Sequence, residues 1–317
     1  MDRILLIGAG QLGSRYLQGL VALQDPSAIK VVDPSEASLD MARERLAQVQ
    51  PAAAHALQFS TSMEAAPQAL DLALVVTPAH CRARVVEEIA GRHQVKAWIL
   101  EKVLAQSCEQ LDRIEQALAN NNRVWVNTPR RLMSWHQVIR AQLLPDGPVP
   151  LHVQVGGGSW GLACNAIHFI DLVAWWTKAQ VQSVSADGLD GWTDSKRAGF
   201  QEVFGRLLVH YRDGSVLELS CLPDAQPAGI AVETPQGSWR LEEAAGVATG
   251  PAGQQLQGQL SFQSALTAPL VAQILQDGHC ALPTLAQSVT QHRPLLQALL
   301  EHWNRSQGRH DCSVPIT

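Results

Sequence analysis

Two side chains in this sequence join a titratable group to a setting suited to proton transfer, Lys102 and His168. Lys102 follows Glu101 directly after an apolar run at 95–100 that reads as a strand. A lysine at a strand end can hold a hydroxyl oxygen, stabilise negative charge developing on it and exchange a proton. A solvated loop lysine does none of these, and the residues alone leave both readings open. His168 lies in Cys164-Asn165-Ala166-Ile167-His168-Phe169-Ile170-Asp171, just after the run Gly156-Gly157-Gly158-Ser159-Trp160-Gly161. Helical spacing puts Cys164, His168 and Asp171 on one face, with Asn165 on a neighbouring strip. A polar strip on an apolar helix needs partners. Either it lines a pocket, with His168 moving a proton and Asn165 holding a hydroxyl, or His168 is a core histidine bonded to Asp171 or to backbone. Cys164 and His168 do not make a metal site, because no spaced cluster supplies the third and fourth ligands.

The element that must present a ligand to these groups stands at the start of the chain. An apolar run at 4–7 leads into Gly8-Ala9-Gly10-Gln11-Leu12-Gly13, and a helical pattern follows at 14–24. Strand, glycine turn and helix in that order predict a dinucleotide site at Gly8, Gly10, Gln11, Leu12 and Gly13. Gly8 allows the tight turn, Gly10 lets a pyrophosphate approach the backbone, and Gly13 lets the helix pack closely. The strand at 29–32 ends at Asp33, 20 residues beyond Gly13. There a carboxylate binds ribose hydroxyls and favours NAD over NADP, or else only caps the next helix.

Alternating strands and helices continue to residue 126, with Ser107 and Gln110 as a capping pair for a helix at 107–120. This predicts an α/β chain: an N-terminal Rossmann domain with a doubly wound parallel sheet, residues 1–125. Residues 126–317 read as an α+β domain with an open, mainly antiparallel sheet. Its expected strands lie at 149–156, 181–186, 201–211, 216–221, 229–233, 239–242 and 255–263, with helices at 162–176 and 285–302 and a frayed tail at 304–317. The length of 317 residues suits two such domains. A net charge of −5 without a long basic run argues against nucleic acid as a partner. Six dispersed cysteines read as reduced thiols, and the absence of a leader-like start or a long apolar stretch gives the expectation of a cytoplasmic chain without membrane contact.

Taken in order, the glycine turn, Thr77-Pro78 with His80, Glu101-Lys102, Asn127-Thr128-Pro129-Arg130-Arg131 and His168-Phe169-Ile170-Asp171 resemble the Gfo/Idh/MocA oxidoreductases over nearly the whole chain. The resemblance implies NAD(P)-dependent hydride transfer at a hydroxyl or keto carbon of a sugar, cyclitol or nucleotide-sugar. It implies Lys102 and His168 as catalytic residues, and Thr77, Pro78, His80, Glu101 and Lys102 about the cofactor. It also implies a homodimer or homotetramer formed through the second sheet. Two positions depart from the pattern. Val103 stands where the family usually has proline, and Cys164 where it often has an acid.

Beside these residues, Arg130 and Arg131 are candidates to hold an anionic substrate group, with the alternative that one holds it and the other makes only a surface ion pair. Trp160 either stacks on a sugar ring or packs. The competing function is a non-catalytic dinucleotide-binding sensor, motivated by the Cys164 and Val103 departures.

Overall fold

The apolar run before the glycine turn lies in β1 (Asp2–Ile7), followed by α1 (Gly13–Leu20), β2 (Ser27–Val32), α2 (Glu36–Leu46), β3 (Ala56–Ser60), β4 (Ala69–Val75), α3 (Ala79–Arg92), β5 (Gln94–Leu100), α4 (Cys108–Ala117) and β6 (Val124–Val126). The computed structural model describes residues 1–224 and 226–317. The six strands form one parallel sheet in the order β3-β2-β1-β4-β5-β6. Residues 4–7, 72–75 and 97–100 are almost wholly buried, as both-face burial of a parallel sheet requires. The strand order reverses between β1 and β4, whose last residues Ile7 and Val75 are paired. A ligand crevice opens at such a switch point, beyond the C-terminal strand ends. The expected cap of α4 forms. Ser107 Oγ accepts the Gln110 N–H at 3.2 Å, and the Gln110 side chain accepts the Gln106 N–H at 2.8 Å.

The second sheet follows α5 (Ser134–Leu143), a helix the sequence reading missed. It is built from β7 (His152–Gly156), then, after α6 (Leu162–Thr177), β8 (Val181–Asp194), β9 (Gln201–Tyr211), β10 (Val216–Cys221), β11 (Gly229–Thr234), β12 (Gly237–Glu242), β13 (Val247–Thr249) and β14 (Gln255–Gln257). The strand order is β14-β13-β12-β11-β7-β10-β9-β8, antiparallel except for β7 beside β10. Alternation decides its faces. Val153, Val155, Val203, Leu207, Val209, Leu217, Leu219, Ile230, Val232 and Leu241 are buried, whereas Gln154, Arg206, Glu218, Glu233 and Arg240 point the other way. α6 lies on the buried side, where the Tyr211 hydroxyl donates to the Ile170 carbonyl at 2.9 Å.

The stretch after β14 corrects the reading of a strand at 255–263. Pairing stops at Gln257, and α7 (Gln263–Asp277) begins six residues later; α8 (Leu285–Gln307) follows. α7 carries Leu266, Leu270, Val271 and Ile274 on one buried face despite Pro269 in its interior. It packs against α1 at Gly19, where a Cβ would sit 2.5 Å from the Thr267 Cβ. The division of the chain therefore differs from a single cut after residue 125. One unit comprises Met1–Glu101, Asp112–Asn127 and Ser261–Leu285; the other comprises Lys102–Leu111, Thr128–Leu260 and Ala286–Thr317. The tail is also not frayed. Val314 and Ile316 are fully buried, the Val314 N–H donates to the Gln106 carbonyl at 2.9 Å, and Gln106 Nε2 donates to the Ile316 carbonyl at 2.8 Å. Among the described residues, no helix is long and apolar enough to cross a membrane.

Candidate active site

The glycine turn of the first unit is as tight as its residues suggest. Gly8 has φ +93°, and a Cβ there would meet the Val76 carbonyl at 2.7 Å. A Cβ on Gly13 would lie 1.8 Å from the Gly8 carbonyl oxygen, so Gly13 closes the turn on itself rather than a helix on the sheet. At Gly10 nothing lies within 4 Å, which leaves a cradle open above the backbone. Leu12 sits beside it at the helix start, and α1 has no side-chain cap on its N-terminal N–H groups. Those groups and the helix dipole favour an anion. Asp33 does not cap α2, whose N-cap is Ser35 with its side chain accepting the Ser38 N–H; Asp33 instead accepts two backbone donors. Its Oδ1 accepts the Ser35 N–H at 2.9 Å, while Oδ2 reaches back to accept the Ala9 N–H in the turn at 2.7 Å. Sequence reasoning missed Arg45, which donates to the Gln11 carbonyl at 2.7 Å and to Ser14 Oγ at 2.6 Å, and also holds the Gln11 side chain. Arg43 instead pairs with Glu36 and Asp40.

At the neighbouring strand ends, Pro78 precedes the first turn of α3 and His80 is exposed on that turn. Thr77 Oγ1 is buried without a hydrogen-bond partner among the described residues. An open cradle and an orphaned hydroxyl at a switch point fit a dinucleotide. Glu101, 3% exposed, is turned toward α1: its Oε1 accepts the Tyr16 hydroxyl and Asn127 Nδ2, the latter at 2.6 Å. Burial, with Glu101 second, pushes the Tyr16 hydroxyl well above its usual range, so it stays a donor. Glu101 thus ties α1 to the ends of β5 and β6.

The second unit begins with Lys102, whose peptide to the buried Val103 is cis. Lys102 Nζ donates to Asn165 Oδ1 at 2.9 Å and to the Cys164 carbonyl at 3.1 Å, both in the first turn of α6. Asn165 is itself aimed by its Nδ2, which donates to the Trp160 carbonyl at 2.7 Å. That turn has Gly161 in the left-handed region at its cap and no side-chain cap of its own. Glu202, from β9, supplies one: its Oε1 accepts the Ala163 N–H, and the Val203 N–H at 3.1 Å. Burial raises the Glu202 carboxyl above its usual range. Burial likewise lifts the Cys164 thiol to about 11, with Lys102 opposing and Glu202 adding, so Cys164 carries no charge at neutral pH. The carboxyl group absent from position 164 is present nearby on Glu202.

His168 follows Asn165 by three residues. Asp171 does not bond it, since Asp171 Oδ2 accepts from Thr128 Oγ1 and Arg131 Nε, each at 2.8 Å. His168 Nδ1 is buried without a hydrogen-bond partner among the described residues. Burial holds the imidazole well below its usual pKa of 6.5, and the positive charges of Lys102 and Arg130 push the same way. His168 is therefore neutral at pH 7 and able to accept a proton. A cavity of about 450 Å³ beside Lys102, Cys164 and Asn165 is lined further by Trp160, Glu202 and the β8–β9 hairpin. Trp160 both packs and lines it: its Nε1 donates to the Ser220 carbonyl at 2.9 Å and its ring meets Phe169 edge-on at 5.4 Å.

Both candidate arginines are already engaged. Arg131 forks onto the buried Asp171. Arg130 donates to both oxygens of Glu243 at 2.8 and 2.7 Å and lies 4.3 Å over the Phe169 ring. His136 donates to the same carboxylate at 2.9 Å. The side chains of these pairs are 14% exposed or less, so neither is a surface ion pair. No group of three or more His, Cys, Asp or Glu among the described residues is placed to hold a metal.

Comparison with known proteins agrees with this geometry. Residues 3–128 match a family model described as "GFO_IDH_MocA: Oxidoreductase family, NAD-binding Rossmann fold". No curated sequence matches the chain. Among solved structures, UDP-N-acetylglucosamine 3-dehydrogenase GnnA from Acidithiobacillus ferrooxidans is 17% identical with a TM-score of 0.68, covering 94% of this chain and 95% of that one. Scyllo-inositol dehydrogenase from Lactobacillus casei, solved with NAD(H) and scyllo-inositol, is 16% identical with a TM-score of 0.65, covering 95% and 96%. An oxidoreductase from Agrobacterium radiobacter, in complex with NAD+, L-tartaric acid and magnesium, is 14% identical with a TM-score of 0.70, covering 97% of each chain. At such identities the likeness speaks for the fold. The stretch that matches the family model, residues 3–128, is the one that holds the glycine turn, Asp33 and the six parallel strands, and it is similar there to the NAD-binding Rossmann fold of the Gfo/Idh/MocA oxidoreductases.

Proposed function

We propose that this protein is an NAD-dependent oxidoreductase that moves a hydride to or from a hydroxyl-bearing or keto carbon of a sugar-like substrate. One observation carries the reading: the Lys102 ammonium is held on Asn165 one turn before an imidazole kept neutral, with a buried nitrogen that has no hydrogen-bond partner among the described residues. The nicotinamide, when bound, supplies or takes the hydride. In the oxidising direction, Lys102 donates a hydrogen bond to the substrate hydroxyl oxygen and steadies the charge that develops there. Neutral His168 takes the hydroxyl proton as the C–H bond yields its electron pair, and returns it in the reducing direction. Asn165 orients Lys102, while Glu202 holds the turn that carries Asn165.

The test is a screen of the purified protein with NAD and NADP against sugars, cyclitols and UDP-sugars, followed by absorbance of the reduced nicotinamide. Turnover with at least one compound is expected, with NAD preferred. Tight NAD binding without turnover across the panel favours the non-catalytic sensor. The same assay reads the proton acceptor. Because the His168 pKa is depressed, kcat/KM holds as pH falls through 6.5 and declines only below it; an acid limb at or above 6.5 removes His168 from this role. Asp33→Ala is expected to weaken NAD binding roughly 10–100-fold, the size of losing a hydrogen bond to a charged group, with a smaller loss for NADP. Equal losses for both would sink the NAD assignment.

A further inference from the structure

A side chain from far along the sequence, Thr317, shares the cavity beside Lys102. The path that brings it there is fixed from its start. Beyond α8, Asn304 Nδ2 donates to the Asp311 carbonyl at 2.9 Å, and the Asp311 N–H donates back to Asn304 Oδ1 at 2.8 Å. Trp303 Nε1 adds a bond to Asp311 Oδ2 at 2.8 Å. Burial then alternates along the chain. Val314 and Ile316 are fully buried, whereas Ser313, Pro315 and Thr317 are half-buried. A period of two turns successive side chains to opposite sides. The pair that fills the core therefore leaves Thr317 turned toward the cavity it lines.

Two segments that build the cavity hold this stretch. One is the segment that begins at Lys102. Four residues on, the Gln106 carbonyl accepts the Val314 N–H at 2.9 Å, and Gln106 Nε2 donates to the Ile316 carbonyl at 2.8 Å. Val103, Leu104 and Ala105 between them are fully buried, so close packing fixes Gln106 relative to Lys102. The other is β9, where the Gln201 N–H donates to the Pro315 carbonyl at 2.7 Å, one residue before Glu202. Residues 314, 315 and 316 are thus each anchored to a cavity-bearing segment, and Thr317 follows directly.

From this placement we infer that Thr317 is a specificity-determining residue: its side chain meets the bound substrate, and its small size sets how bulky a substrate the cavity admits. The inference rests on the oxidoreductase reading of that cavity. The anchors at 314–316 are main-chain groups bonded to Gln106 and Gln201, so they survive a change of side chain at 317. The cavity measures about 450 Å³. In such a closely walled space, a side chain that grows inward takes its room from the ligand.

Thr317→Trp tests this in two ways. The first needs no substrate. Cys164 lines the same cavity, so its alkylation by N-ethylmaleimide at mildly alkaline pH reports how open that cavity is, with Cys81 in the first unit as internal reference. Peptide mass spectrometry should show Cys164 labelled several-fold more slowly in Thr317→Trp and Cys81 unchanged. The second is NAD-coupled turnover of a compound that the unsubstituted protein accepts from the panel above. KM should rise roughly tenfold or more with kcat little changed, as expected when room for the substrate is lost but the chemistry is not. Should Thr317→Trp fail to fold, Thr317→Ala replaces it with the opposite sign: faster labelling of Cys164 and a preference shifted toward bulkier compounds. An unchanged rate of Cys164 labelling, no labelling of Cys164 even in the unsubstituted protein, or an unchanged KM overturns the inference. Lack of turnover by the unsubstituted protein counts against the oxidoreductase reading instead, and the labelling rate alone then decides whether Thr317 walls the cavity.

Discussion

Lys102→Met lowers turnover of the NAD-coupled reaction by roughly 10²- to 10⁴-fold, the range expected when a positioned acid–base or charge-stabilising group is removed. Methionine keeps an unbranched apolar stem and deletes only the ammonium that Asn165 Oδ1 and the Cys164 carbonyl hold. The loss therefore falls on kcat rather than on folding, which circular dichroism checks. Lys102→Arg does not rescue it, because a planar fork cannot place one proton where a compact ammonium does. Asn165→Ala gives a smaller loss, since it frees the ammonium without removing it. A fall of less than about tenfold in Lys102→Met would take Lys102 out of the chemistry.

Glu243→Ala acts on stability instead, with an expected loss of about 3–5 kcal/mol, the cost of breaking a buried ion pair from one side. Glu243 is where Arg130 and His136 converge, and Trp135 and Trp176 flank that imidazole with centroids 5.4 and 6.3 Å away. Removing the carboxylate leaves the Arg130 charge buried with only the Phe169 face for company. Hydrogen bonds from His136 and Arg130 overcome desolvation and hold the Glu243 carboxyl down at about 2, against 4.5 when unperturbed. A depressed carboxylate stabilises the fold above its unfolded pKa and loses that contribution as pH falls through its folded value. The window here runs from pH 4.5 down to about 2, and the amount is roughly 3 kcal/mol. Denaturant titration across that range checks it. The double substitution Arg130→Met/Glu243→Leu should recover most of the loss, because no charge is then stranded. A loss below about 1 kcal/mol for Glu243→Ala at pH 7 would mean that solvent reaches the pair.

What could be read from the residues differs sharply between local and distant features. The glycine turn, Asp33 and the alternating strands of the first sheet rest on spacing within a few tens of residues, and all are visible in the sequence. α7 was hidden because Pro269 interrupts its apolar face and the preceding residues alternate like a strand. The engagement of Arg130 by Glu243 spans 113 positions, and that of Ala163 by Glu202 spans 39. No periodicity marks such pairs, because strand order alone brings them together. Cys164 shows the same limit: its residue type removes a charge from the site, and only the fold reveals that Glu202 stands close by.

The first unit is closed by residues 261–285, and this bears on how the protein comes off the ribosome. When residue 127 has emerged, all six strands of the parallel sheet exist as chain, yet the groove beside Gly19 on α1 is bare and Asn127 lacks Gln263. Nascent domains usually fold in order of synthesis. This one must wait while the whole second sheet is translated, its apolar α1 face open to wrong partners or to a chaperone. A nascent chain halted before residue 261 should therefore be protease-sensitive in its first unit, and one halted after 285 and clear of the exit tunnel should be protected.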